Sequence, residues 1–136
     1  MIMADIDFFK KTNDTHGHLV GDVALRSSAV KLHSLIRSYD FIGRYGGEEF
    51  LIILPDCCSE YAAAFAERLR LFVSSDSIDT TEGMIPVTIS FGVAASSKER
   101  MKDADSLVKA ADEALYRAKK IGRNRVEVAS DGGLMS

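Results

Sequence analysis

The chain has 136 residues and a mass of 14.9 kDa, the size of a single domain, and its 46% hydrophobic and 27% charged residues suffice for a packed core. A formal charge of -3 and a pI near 5.6 exclude binding to nucleic acid through bulk basicity, so any phosphate must be held by a few placed residues. No apolar run approaches the roughly 18–20 residues of a membrane span, and Met1 to Lys10 lacks the basic-then-apolar order of a signal peptide.

Met1 to Ile6 is short and apolar and turns polar from Asp5, the pattern of a strand running into a loop. Thr12 to Asp22 holds Asn13, Asp14, Gly17 and Gly21, a turn-rich stretch expected to lead into a helix. Leu25, Ala29, Leu32 and Ile36 then mark one face of that helix. Phe41 to Tyr45 and Glu49 to Leu54 read as two strands joined at Gly46-Gly47, a hairpin signal. The adjacent Cys57 and Cys58 are poorly placed to pair with each other and fit a strand-to-helix turn, which makes a reducing cytoplasm the expected compartment.

From Ser59, the residues Ala62, Phe65, Leu69, Phe72 and Val73 predict a second amphipathic helix. Ser74 to Met84 reads as a polar loop or small irregular excursion. Val87, Ile89, Phe91 and Val93 alternate strictly within Pro86 to Ala95, the clearest strand in the chain. Asp103 caps a third helix that runs through Leu107, Ala111, Leu115 and Ala118 and stops at Gly122. Arg125 to Ala129 makes a last short strand, followed from residue 130 by a flexible tail. The order β-α-β-β-α-β-α-β predicts an α/β fold, a mixed central sheet flanked by helices.

Two stretches carry acidic chemistry. Asp5-Ile6-Asp7 alternates carboxylates at a strand end, an arrangement that serves either a hard cation such as Mg²⁺ or plain solvation and capping. In Gly46-Gly47-Glu48-Glu49-Phe50, the glycines allow a tight hairpin, and the two glutamates repel unless solvent or a cation relieves them. An antiparallel pairing of this hairpin with the first strand would bring Glu48 near Asp5. There is neither a GxxxxGK[ST] loop nor a GxGxxG. Backbone N–H groups at Phe8-Phe9-Lys10 offer another phosphate cradle, while Lys119 and Arg123 serve either phosphate or the helix C-terminus they stand on.

Asp5-x-Asp7-x-Phe9-Lys10-x-x-Asn13-Asp14, then Gly17-His18-x-x-Gly21-Asp22, then Arg44-Tyr45-Gly46-Gly47-Glu48-Glu49-Phe50, resembles the GGDEF family of diguanylate cyclases. Val87-Thr88-Ile89-Ser90-Phe91-Gly92-Val93 and Ala111-Asp112-x-Ala114-Leu115-Tyr116-x-Ala118-Lys119-x-x-Gly122-Arg123-Asn124 extend the likeness over essentially the whole chain. Glu48 stands where the signature has aspartate. The family's domain normally begins some tens of residues earlier with a helix, so the resemblance implies a domain over 1–129 lacking that helix and the sensory domain that usually precedes it.

The resemblance implies the adenylyl cyclase and polymerase palm fold, and condensation of two GTP into cyclic di-GMP and two pyrophosphates. Asp5, Glu48 and the Ile6 carbonyl would hold Mg²⁺ (or Mn²⁺). Glu48 would help deprotonate the ribose 3′-OH, with Glu49 as a second acid. Asn13 and Asp22 would read guanine, with His18 on the same nucleotide. The Phe8, Phe9 and Lys10 backbone and the Lys119 and Arg123 side chains would take the terminal phosphates. Each copy would hold one GTP, so catalysis implies a homodimer. The Arg37-Ser38-Tyr39-Asp40 RxxD, with Arg68 as partner, implies inhibition by the product. Two rival readings are a silent domain that senses cyclic di-GMP or GTP, and an adenylyl-cyclase-like enzyme, against which the guanine-reading pair speaks.

Overall fold

A computed structural model describes residues 1–96 and 103–130. Strand β1 (Ile2–Ile6) is the centre of a five-stranded sheet of order β2-β3-β1-β6-β7, with β2 at Phe41–Arg44, β3 at Glu49–Ile53, β6 at Ile89–Val93 and β7 at Val126–Val128. β1 pairs antiparallel with both β3 and β6, β2 pairs antiparallel with β3, and β7 joins β6 in parallel, so the sheet is mixed as expected.

Alternation along the central strands divides the sheet into two faces. Ile2, Ala4 and Ile6 of β1, Phe50 and Ile52 of β3, and Ile89, Phe91 and Val93 of β6 meet helices α2 (His18–Leu35) and α3 (Ser59–Ser74) in the main core. Met3, Ala94 and Leu51 face the other way, against Ala111 and Leu115 of α4 (Ala104–Ile121). Asp5 and Asp7 fall in the same alternation as Met3, and so stand on the α4 side at the end of the sheet.

The predicted cap of α4 is present: Asp103 accepts a hydrogen bond from the Ser106 N–H at 2.8 Å, and Gly122 closes the helix at φ 156°. Leu54 to Cys58 forms the turn into α3, with Cys57 half-buried and Cys58 exposed, both as free thiols.

The structure corrects three expectations. Residues read as turn instead form a short helix, α1 (Phe9–His16), which starts directly after β1 and packs on α2. Only Gly17 breaks the chain there, at φ 92°, and its N–H still bonds the Asn13 carbonyl at 2.8 Å. Ser74 to Met84 contains the first strand of a hairpin, β4 (Ile78–Thr80) paired with β5 (Gly83–Ile85), whose turn is fixed by the Thr80 hydroxyl bonding to Gly83 O and Glu82 N–H. The strand expected over Pro86–Ala95 is narrower, Ile89–Val93. Of the tail, residues 131–136 lie outside the described residues. Among the described residues, no helix is long and apolar enough to cross a membrane.

Candidate active site

The antiparallel register of β1 on β3 sets Asp5 opposite Glu49, and the Ile6 N–H bonds the Glu48 carbonyl at 3.2 Å. The hairpin therefore lies beside β1 in the antiparallel pairing that brings Glu48 near Asp5, with Arg44 donating to Gly47 O at 2.6 Å to close it. Asp5 is 4% exposed, and its carboxylate accepts from the Lys119 ammonium. Burial nevertheless pushes the Asp5 pKa up to about 6, because desolvation and the charges of Glu48 and Glu49 outweigh that single ammonium. A group of carboxylates held at this cost is a recurrent mark of a functional site.

These residues open onto a cavity of about 430 Å³, lined by Asp5, Ile6, Asp7, Glu48, the start of α1 from Phe8 to Lys11, Asp14, Lys119 and Arg123. Phe8 takes a left-handed conformation (φ 57°) between β1 and α1, and Thr12 N–H is the first to bond back, to the Phe8 carbonyl at 2.9 Å. The earlier N–H groups of that first turn have no partner within the helix and carry its positive dipole end, beside Lys10, Lys119 and Arg123. The Arg123 guanidinium stacks on the Phe8 ring at 4.7 Å. Its lining brings the carboxylates of Asp5, Asp7, Glu48 and Asp14 together with the cations Lys10, Lys11, Lys119 and Arg123, and the Lys119–Asp5 bond joins the two sets.

Asn13, His18 and Asp22 stand apart from this lining, around the Gly17 corner between α1 and α2. Asn13 Oδ1 is buried without a hydrogen-bond partner, close against Gly21, where a Cβ would fall 1.6 Å from it. His18 and Asp22 are exposed one helical turn apart. Glu49 also stays outside the lining. Sequence reading missed Lys11 and Asp14; a helix from Phe9 would have placed Asp14 over Lys10 and Lys11.

Arg37 and Asp40 form a bidentate pair, Nε to Oδ2 at 2.9 Å and Nη2 to Oδ1 at 2.8 Å, which holds the Asp40 carboxyl below its ordinary range. They border a second cavity of about 550 Å³ with His33 and Phe41. Arg37 lies over the rings of Tyr39 and Tyr61 at 4.5 and 5.3 Å. Arg68 is outside this cavity; it sits over Phe65, whose ring stacks with Tyr61 at 6.5 Å, so aromatic rings separate the two arginines.

The sequence profile of the family described as "Diguanylate cyclase, GGDEF domain" matches residues 1–125. The chain belongs to the GGDEF family. It is 47% identical over 127 residues to the response regulator PleD of Caulobacter vibrioides, covering 92% of this chain and 28% of that protein. The GGDEF fold is likewise that of the GGDEF domain of DgcB from Caulobacter crescentus, solved in complex with c-di-GMP. The TM-score is 0.88 at 36% identity, covering 96% of this chain and 77% of that one. The active GGEEF domain of a diguanylate cyclase from Vibrio cholerae is similar too, with TM-score 0.86 and 34% identity over 96% of this chain and 82% of that one. The GGEEF spelling of that signature is the one found here at Gly46 to Phe50.

Proposed function

We propose that this GGDEF domain, spanning residues 1–129, is a diguanylate cyclase that joins two GTP into cyclic di-GMP and releases two pyrophosphates in the cytoplasm. The observation that carries the reading is the register that sets the Glu48 hairpin against Asp5, in a cavity that also presents Lys10, Lys119 and Arg123. The triphosphate is held by the first-turn N–H groups of α1 with Lys10, Lys119 and Arg123. Asn13 Oδ1, buried and unpartnered, takes a donor of guanine, and Asp22 and His18 complete the base site at the Gly17 corner.

The donor set around Asp5 fits Mg²⁺: Asp5, Glu48 and the Ile6 carbonyl are hard oxygen donors, and the like charges of Glu48 and Glu49 call for a cation. Among the described residues, no three His, Cys, Asp or Glu side chains stand together at metal-binding spacing, so the protein would offer the ion two carboxylates and one carbonyl. When bound, the ion polarises the α-phosphate and offsets charge on the leaving pyrophosphate.

Glu48 accepts the proton of the ribose 3′-OH, with Glu49 beside it as a second acid. The 3′-oxygen forms a bond to the α-phosphorus of the other nucleotide, and the bond from that phosphorus to pyrophosphate breaks. Lys119 and Arg123 hold the departing charge. One cavity presents one nucleotide, so ring closure needs two copies face to face.

Glu48→Gln is expected to remove product formation by chromatography while circular dichroism shows an unchanged fold; appreciable residual turnover contradicts the role. The Arg37–Asp40 cavity supports product binding, since a guanidinium fork beside aromatic rings matches both phosphate and guanine. Arg37→Ala is expected to straighten the progress curve without lowering the initial rate; superimposable curves for the two proteins refute the inhibitory site.

A further inference from the structure

Asp7 is one of the few charged residues in the interior, 7% exposed, and the functional reading above gives it no part. Its Oδ1 accepts from the Ser90 hydroxyl at 2.6 Å, and its Oδ2 accepts from the Thr88 hydroxyl at 2.7 Å and the Asn124 backbone N–H at 2.9 Å. Its own N–H donates to the Thr88 carbonyl at 2.9 Å. Asp5, two residues earlier on the same face, instead bonds to the Lys119 side chain at the cavity. The two carboxylates therefore do different work, although the strand alternation pairs them.

The Asn124 N–H closes an unusual turn. Gly122 has φ 156°, and Arg123 and Asn124 follow at 65° and 47°, two consecutive non-glycine residues in the left-handed region. Such a conformation persists only where surrounding contacts over-determine it. On the helix side, the N–H groups of Gly122 and Arg123 share the Ala118 carbonyl at 3.3 and 2.8 Å. On the sheet side, Asn124 N–H meets Asp7, with Ser90 Oγ at 3.1 Å. Between these anchors the Arg123 side chain projects to Phe8, the residue next to Asp7.

We infer that Asp7 is a positioning residue whose carboxylate clamps the Gly122–Asn124 turn to the end of the sheet and thereby aims Arg123 into the cavity. The clamp is read from hydrogen bonds alone; its consequence for nucleotide rests on the proposed triphosphate end of the site. The charge-assisted bond to Asn124 is of the strong kind, and alanine would leave two hydroxyls without their acceptor and the Asn124 N–H with only its longer contact to Ser90 Oγ. Asparagine keeps an acceptor for Asn124 and Thr88 and offers its amide to Ser90 Oγ, so it preserves the clamp while removing the charge.

The test compares Asp7→Ala and Asp7→Asn with wild type by amide hydrogen exchange and by calorimetric binding of a non-hydrolysable GTP analogue and of GMP with Mg²⁺. Asp7→Ala is expected to speed exchange at Asn124 about tenfold and to weaken the triphosphate about tenfold while leaving GMP within roughly twofold. Asp7→Asn is expected to stay near wild type in both. Should Asp7→Ala fail to fold, Ser90→Ala removes one member of the clamp and is expected to raise Asn124 exchange alone. Unchanged Asn124 exchange in either alanine variant overturns the inference. So does an Asp7→Asn variant as impaired as Asp7→Ala with Asn124 still protected, which would put the charge on a cation instead. Exchange needs no nucleotide, so a chain with the expected clamp that makes no cyclic dinucleotide refutes the functional reading alone.

Discussion

Gly92 is the point at which α4 comes closest to the sheet. A Cβ at this position would lie 2.1 Å from the Ala111 carbonyl oxygen, 2.4 Å from the Leu115 nitrogen and 2.9 Å from its Cα, against 3.4 Å or more for ordinary contact. All three neighbours are backbone, so no rotamer change relieves them, and the helix must retreat by about 1 Å. The buried face of α4 is Ala111, Ala114, Leu115 and Ala118, mostly alanines suited to this close approach. Gly92→Ala should therefore cost about 3 kcal/mol, the upper part of the overpacking range. For a chain of this size that is a fall of about 10 °C in Tm. Lys119 lies one turn beyond Leu115, so the same retreat draws it from Asp5 and lowers turnover as well. Urea unfolding followed by circular dichroism measures the first effect. A variant within about 0.5 kcal/mol of wild type would refute the packing argument.

Two further outcomes follow from the site. The Asp5 pKa rises on folding from 3.8 to about 6, so the folded state binds more protons here between those pH values, and this group's contribution to stability falls as pH rises through that window. With divalent cations chelated, Asp5→Asn should be more stable than wild type by about 1–3 kcal/mol at pH 8, with the gap closing near pH 4; equal stability at pH 8 contradicts it. Gly21→Ala displaces the end of the Asn13 side chain, whose carboxamide can swing away. Stability should hold within about 1 kcal/mol, helped by helix propensity, while the KM for GTP rises about tenfold through one lost base contact. An unchanged KM argues against Asn13 as a guanine reader.

Legibility followed the range of the interactions. The Asp103 cap and the Gly122 stop are local and stand where the sequence pattern put them, while the alternation from Val87 to Val93 marked a strand that starts later, at Ile89. Gly46-Gly47 announced the hairpin, while its pairing with β1 was only one of the arrangements the sequence left open. α1 was hidden because Asn13, Asp14 and Gly17 are turn formers in isolation; packing on α2 outweighs that preference. β4 and β5 are three residues each and carry too few alternations to read. The partners of Asp7 lie 81 to 117 residues away, and no local pattern reports them. The spacing of Arg37 and Arg68 likewise gave no warning that Tyr61 and Phe65 stand between them.

The central claim is that two copies of this chain together make cyclic di-GMP. The most direct measurement is the rate of cyclic di-GMP formation from GTP and Mg²⁺ as the protein concentration is varied, followed by chromatography. The rate is expected to rise faster than linearly with protein at low concentration, as it must when the site forms only in the dimer. Cyclic di-GMP that binds the protein while none is formed at any concentration would contradict it and favour a receptor.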